Sequence, residues 1–149
     1  MRVIIQRCSR AEVNISQKTV GKIGRGFVLL VGFTHTDSEK DIAWCAKKVA
    51  GMRIFEDEEG KMNRSLKEAN GAILSISQFT LYANAKKGNR PSFIEAARPE
   101  LAEPLYQRFN EILRDEYHLT VATGQFGADM KVDFVNDGPV TILLDSADK

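Results

Sequence analysis

Two short segments, about sixty residues apart, carry the residues whose types and spacing could do chemistry. The first, Ser77–Leu81, reads Ser-Gln-Phe-Thr-Leu and ends an apolar run. Alternation along an extended chain predicts that Ser77 and Phe79 lie on one face, and that Gln78 and Thr80 lie on the other. Hydroxyl and amide groups at the end of a buried strand would form a polar mouth on an apolar wall, which suits ligand binding. The same groups could instead satisfy nearby backbone atoms.

The second segment, Asn136–Thr141, reads Asn-Asp-Gly-Pro-Val-Thr and lies between two apolar runs. Asparagine, aspartate, glycine and proline in succession are typical of a turn. A cis peptide bond before Pro139 would be uncommon, since only about 5–6% of such bonds in folded proteins are cis. The residues alone therefore predict a hairpin turn at Gly138-Pro139, which would reverse the chain between two strands.

The usual catalytic side chains are scarce. Neither of the two histidines, His35 and His118, has a neighbouring serine or cysteine that would suggest a nucleophile–base pair. Neither Cys8 nor Cys45 stands in a CxxC pair or at metal spacing from a histidine. We expect both cysteines to be free thiols in the core, and we predict no metal and no cofactor.

Composition favours an ordinary globular domain spanning residues 1–149, because 43% of the residues are apolar and 28% are charged. The 21 basic and 20 acidic residues leave a net charge of +1, so any contact with RNA must come from a local patch. Lys86, Lys87 and Arg90 form the candidate patch, in a polar loop after the first segment. Only three consecutive apolar residues, Val3–Ile5, stand near the N-terminus. We therefore predict no membrane association and a cytoplasmic location.

Apolar periodicity predicts two long helices. Thr36 and Glu39 match a capping box, and the apolar spacing behind them predicts a helix over about 37–50 that ends at Gly51. A second apolar face predicts a helix at 101–113, with Pro99 and Pro104 near its first turn. The order of these elements predicts an α/β fold class, of α+β character, with a mostly antiparallel, barrel-like sheet in a single domain. Strands are predicted at Val3–Ile5, Ala11–Ile15, Phe27–Val31, Arg53–Phe55, Ala72–Phe79, Leu119–Thr123, Met130–Phe134 and Val140–Leu144.

Taken together, Ser77–Leu81 and Asn136–Thr141 resemble the two signature motifs of the D-aminoacyl-tRNA deacylases, the D-tyrosyl-tRNA(Tyr) deacylase family. Segments such as Lys87–Phe93 and Gly124–Met130 are also similar, so the resemblance covers essentially the whole chain. It implies hydrolysis of the ester that joins a D-amino acid, or glycine mischarged on alanine tRNA, to the terminal ribose. It also implies a homodimer in which a cis Gly138-Pro139 enters the partner's pocket and rejects L-amino acids.

The resemblance implies a role for each of several residues. Gln78, Phe79 and Thr80 would serve catalysis. The residues implied for substrate binding are Ser77, Phe126, Met130, Gly138 and Pro139, and those for support of the second motif are Arg7, Asn136 and Thr141. The basic patch of Lys86, Lys87 and Arg90 could be a solvated charged loop, but its position next to the first motif favours contact with phosphates at the acceptor end of tRNA.

Two mechanisms of ester cleavage stay open at this point. Thr80 would be the nucleophile in one, and the 2′-hydroxyl of the substrate would assist attack by water in the other. The second is favoured because the sequence shows no base for Thr80, and the backbone N–H groups of Phe79 and Thr80 would then stabilise the oxyanion. Two other classes of function remain: a nucleic-acid-binding module without catalysis, and a small-molecule esterase that uses Thr80 or Ser77.

Overall fold

The first strand, β1 (Arg2–Ile15), is hydrogen-bonded along both edges in the computed structural model, which describes residues 1–149. One edge pairs first with β3 (Gly26–Gly32) and then with β2 (Lys18–Ile23), and the other edge pairs with β8 (Lys131–Asp145). All of these pairings are antiparallel. The prediction of two separate strands here is wrong, because the polar residues between them keep an extended backbone and continue the pairing.

The rest of the main sheet is parallel. Strand β6 (Ala72–Ser77) lies between β3 and β7 (Val121–Thr123) and runs parallel to both. The fold class is confirmed, since the six-stranded sheet is mixed, nearly closed and barrel-like, and packs with two helices in one domain. A separate two-stranded ribbon joins β4 (Phe55–Glu56) to β5 (Met62–Arg64), so the short strand predicted here starts later than expected.

Helix α1 spans Glu39–Gly51 and ends at the predicted glycine. Its capping box differs from the predicted one: the backbone N–H of Ser38 donates to Asp41 Oδ2 at 2.8 Å, and the Ser38 hydroxyl donates to the same oxygen at 2.9 Å. Thr36 therefore lies outside the helix. The apolar stripe of α1, which includes Ile42 and Val49, is fully buried against the sheet.

Helix α2 spans Pro99–Glu111 and continues into a π-helical turn, Ile112–Glu116. Pro99 is the first residue of the helix, as predicted. Pro104 lies in the second turn, so its predicted place near the first turn is wrong, and it leaves one backbone hydrogen bond of the helix unmade. No helix of the protein is both long enough and apolar enough to span a membrane.

Both cysteines are free and fully buried, as the sequence predicts. Cys8 belongs to a small apolar cluster inside the barrel, and Cys45 belongs to the larger core between helices and sheet. Burial raises the pKa of the Cys8 thiol to about 11 and that of the Cys45 thiol to about 12. Both thiols therefore stay protonated at neutral pH and serve as packing groups.

Close approach of β3 to β6 generates a stability prediction at Gly26. A Cβ added to Gly26 would lie 1.8 Å from the carbonyl oxygen of Ala72, and the glycine has φ +159°. We expect Gly26→Ala to lower the free energy of unfolding by about 2 kcal/mol or more in urea denaturation, because the two strands must separate. Gly51→Ala is the control, since nothing lies within 4 Å of its added Cβ. A Gly26→Ala protein as stable as the original would contradict the packing of β3 on β6.

Candidate functional site

A cleft of about 570 Å³ opens where β3 and β6 end and α2 begins. Its wall is mostly apolar, with polar groups at one edge. It gathers residues from four parts of the chain, namely the end of β3, the end of β6, the segment from Phe93 to Ala102 and the segment from Phe126 to Val132. The predicted site residues that line it are Ser77, Gln78, Phe79, Phe126 and Met130.

The polar edge is formed by a change of backbone conformation after β6. The N–H of Gln78 donates to the carbonyl of Val31 at 2.7 Å, and the chain then enters a 3₁₀ turn at Phe79–Tyr82, which we call the motif turn. The first hydrogen bond of this turn runs from Leu81 N–H to Gln78 O, at 3.3 Å. The N–H groups of Phe79 and Thr80 precede that bond, so they have no partner within the turn and are free to donate elsewhere.

The motif turn overturns the predicted alternation of side chains past Ser77. Phe79 is 58% exposed and packs edge-on against Phe93, with 5.1 Å between ring centroids. Gln78 Nε2 donates to the Thr80 hydroxyl at 2.5 Å. The Thr80 hydroxyl is thus held by an amide, which cannot act as a base, and Thr80 lies beside the lining of the cleft rather than in it.

The side of the cleft that is lined by Phe126 is supported by a tyrosine that the sequence reasoning missed. Tyr106, on α2, lies 6.1 Å from Phe126 between ring centroids, and its hydroxyl donates to the Ser75 carbonyl at 2.7 Å. Burial raises the pKa of Tyr106, so the hydroxyl remains a donor. The available signal was a tyrosine on the apolar face of a helix, whose hydroxyl requires a buried partner.

Instead of a hairpin turn, the second motif forms a bulge inside a continuous strand. Along β8, Asn136 is opposite Cys8 and Thr141 is opposite Gln6, so residues 137–140 face a single residue of β1. We call residues 137–140 the β8 bulge. The predicted hairpin is wrong because β8 keeps its direction and its pairing with β1 on both sides of the bulge.

The tip of the β8 bulge is exposed, and its peptide bond Gly138-Pro139 is cis. Gly138 has φ +136°, and a Cβ added there would lie 2.7 Å from Val140 Cγ2. Glycine is therefore the residue that this backbone accepts. Neither Gly138 nor Pro139 lines the cleft of its own chain.

Three predicted support residues meet at the base of the β8 bulge. Arg7 is 6% exposed; its Nε donates to the Asp137 carbonyl at 2.9 Å, and its Nη1 donates to the Ile54 carbonyl at 2.7 Å. Asn136 Oδ1 accepts from Val140 N–H at 2.9 Å, and Asn136 Nδ2 donates to the Thr141 hydroxyl at 3.2 Å. The bulge is therefore anchored by its own chain.

The basic loop lies outside the cleft lining. Lys86, Lys87 and Arg90 are exposed, on a loop closed by backbone bonds between Asn84 and Ser92, each 2.8 Å long. The histidines are not brought to the Thr80 hydroxyl: His35 Nε2 contacts the Ile94 carbonyl at 2.8 Å. Nowhere in the chain do three or more histidine, cysteine or carboxylate side chains gather closely enough to hold a metal ion.

Comparison with known proteins identifies a family whose model covers nearly the whole chain. The family model described as D-Tyr-tRNA(Tyr) deacylase matches residues 4–145. A protein of Chloroherpeton thalassium named D-aminoacyl-tRNA deacylase is 57% identical over 149 residues, which is 100% of this chain and 98% of that protein.

Two solved structures share the fold. One, named c-Myc DNA Unwinding Element Binding Protein, is 40% identical with a TM-score of 0.92, over 97% of this chain and 98% of that one. The other, described as a probable eukaryotic D-amino acid tRNA deacylase, is 21% identical with a TM-score of 0.82, over 96% and 97% of the two chains. By the family model and the 57% identity with its bacterial relative, the chain belongs to the D-Tyr-tRNA(Tyr) deacylase family.

Proposed function

We propose that this protein hydrolyses the ester between a D-amino acid and the terminal ribose of tRNA, releasing free tRNA and the D-amino acid. The observation that carries the proposal is the cleft whose polar edge is the motif turn, with the Phe79 and Thr80 N–H groups ahead of its first hydrogen bond. The name of its bacterial relative, D-aminoacyl-tRNA deacylase, supports the same reaction.

The chemistry rests on the main chain and on the substrate. Water attacks the ester carbonyl carbon, the tetrahedral oxyanion accepts hydrogen bonds from Phe79 and Thr80 N–H, and the ribose 3′-oxygen leaves with a proton. The neighbouring 2′-hydroxyl of the ribose assists the attack. This route is favoured over a Thr80 nucleophile because the hydrogen bond to the Thr80 hydroxyl comes from the Gln78 amide, which accepts no proton.

Selection by handedness is assigned to the β8 bulge of a second copy. Its carbonyl groups would accept the substrate ammonium and leave no room for an L side chain, so the D side chain needs no specific pocket. Glycine has no side chain to exclude, and glycine mischarged on alanine tRNA is therefore also a substrate. Support comes from the exposed, anchored tip at Gly138-Pro139, which does not reach the cleft of its own chain.

A homodimer follows from the same assignment. Strand β8 pairs with β1 along one edge only, and it exposes 44% of Val135 and 62% of Leu143 on either side of the bulge. Exposed apolar residues beside an open strand edge favour association with a second copy. The dimer would carry each bulge toward the partner's cleft.

The basic loop is assigned to the acceptor end of tRNA. Lys86, Lys87 and Arg90 follow the motif turn closely in sequence and are exposed, so they can neutralise phosphates next to the ester. Phosphate contacts of this kind position the nucleic acid without reading its sequence. The proposed substrate is charged tRNA, which supports a cytoplasmic location for the activity.

The decisive experiment compares the release of amino acid from D-tyrosyl-, L-tyrosyl- and glycyl-tRNA. We expect release of D-tyrosine and glycine, with L-tyrosine retained, because only the L side chain meets the β8 bulge. The assay also separates the alternatives. Binding of tRNA or DNA without release would favour a nucleic-acid-binding module, in line with the DNA-binding name of one solved relative. Cleavage of simple amino acid esters without tRNA would favour a small-molecule esterase.

The two mechanisms are separated at Thr80 and at the ribose. We expect Thr80→Ala to retain turnover within about tenfold, and a tRNA ending in 2′-deoxyadenosine to lose about 10²-fold or more. The exposed Thr120→Ala serves as the control. A loss of about 10³-fold in Thr80→Ala, together with full cleavage of the deoxy substrate, would assign the reaction to the threonine hydroxyl.

Anchoring of the β8 bulge is tested at Arg7. Arg7→Met removes the donors to the Asp137 and Ile54 carbonyls, so the bulge loosens, and we expect the ratio of D- to L-tyrosyl-tRNA rates to fall by about tenfold or more. Arg10→Met, on the same strand, removes only an exposed ion pair with Asp133 and should leave the ratio intact. An unchanged ratio in the folded Arg7→Met protein would separate the bulge from selectivity.

A further inference from the structure

Arg2, at the start of β1, lies outside the cleft lining but binds the motif turn, which forms the polar edge of the cleft. Its Nη1 donates to the Leu81 carbonyl at 2.8 Å, and its guanidinium carbon lies 4.5 Å from the centre of the Tyr82 ring. Its Nε donates to Asp145 Oδ2 at 2.9 Å. Leu81 and Tyr82 are the last two residues of the motif turn, so Arg2 holds the end of the turn.

The beginning of the motif turn packs closely against Gly32, a residue of the neighbouring strand β3. Gly32 of β3 is the direct partner of Arg2 across the sheet. A Cβ added to Gly32 would lie 2.7 Å from the Gln78 carbonyl and 3.0 Å from Leu81 Cβ, so the turn rests on bare backbone there. Arg2 therefore binds the end of the turn, and the bare backbone of Gly32, at the adjacent position of the paired strand, lets the turn approach closely.

The arrangement requires a guanidinium in particular. Asp145, at the end of β8, orients the guanidinium, and its side chain and that of Arg2 are 22% and 37% exposed. One planar group meets a carboxylate, a carbonyl and an aromatic face at once, and an ammonium cannot match all three in that geometry.

We propose that Arg2 is a positioning residue for the hydrolysis, one that holds the motif turn so that the Phe79 and Thr80 N–H groups stay beside the cleft. The proposal rests on the proposed function and extends it to a residue that touches no substrate. Asp145 contributes to the same arrangement, because it fixes the guanidinium that binds Leu81 O. We call the contacts of Arg2 with Leu81 and Tyr82 the Arg2 clamp.

The clamp is tested first without substrate, by amide hydrogen exchange in full-length Arg2→Met and Arg2→Lys proteins. The reporters are the N–H groups of Leu81 and Ala83, which donate to Gln78 O and Thr80 O within and after the turn. We expect both to exchange about tenfold faster or more in Arg2→Met, less so in Arg2→Lys, and not in Arg10→Met, because local opening replaces the held state. Unchanged exchange in both Arg2 variants overturns the clamp.

The positioning role is tested by steady-state hydrolysis of D-tyrosyl-tRNA. We expect kcat to fall by about tenfold in Arg2→Met with KM within about twofold, partial recovery in Arg2→Lys, and no change in Arg10→Met. An unchanged kcat despite faster exchange, or a rise in KM alone, overturns the positioning role. If Arg2→Met fails to fold, Arg2→Lys supplies both measurements. If the original protein releases no D-tyrosine, the proposed function fails, while the exchange result still judges the clamp.

Discussion

The hydrogen bonding of β1 along both of its edges is the constraint on which the rest of the structure depends. Its pairing with β3 places Arg2 opposite Gly32, where Arg2 binds the motif turn and Gly32 leaves room for it. Its pairing with β8 places Arg7 at the base of the β8 bulge. Both halves of the proposed site are therefore positioned by one strand. A strand paired on both edges is a more rigid support than a free loop.

The proposed chemistry is carried by main-chain atoms, and this explains the poor inventory of catalytic side chains. The motif turn offers N–H groups of Phe79 and Thr80, and the β8 bulge offers carbonyl groups at its tip. Such groups need no particular side chain of their own, but they need accurate placement by neighbours. The informative side chains are consequently the ones that bind backbone, namely Arg2, Arg7, Asn136 and Tyr106.

Much of the fold could be predicted from the sequence, because apolar runs mark β3 and β6 and helical spacing marks both helices. The shape of the second motif could not, since asparagine, glycine and proline favour a hairpin and a bulge alike, and only pairing with β1 decides between them. The N-cap of α1 was ambiguous for a similar reason. Thr36 and Ser38 are each followed three residues later by an acidic residue, so the sequence offers two possible capping boxes, and the structure forms the one at Ser38. Asp37, which lies between the two candidates, accepts the backbone N–H of Thr34.

The buried position of Arg7 gives the two halves of the proposed site different responses to ionic strength. Mobile ions screen exposed charges, whereas a guanidinium that is 6% exposed and bonded to two carbonyls is largely shielded from them. Added electrolyte would therefore weaken the proposed capture of RNA by the basic loop and leave the proposed stereochemical selection by the β8 bulge unchanged. Under the proposed function, selectivity would therefore depend less on salt concentration than affinity for tRNA does.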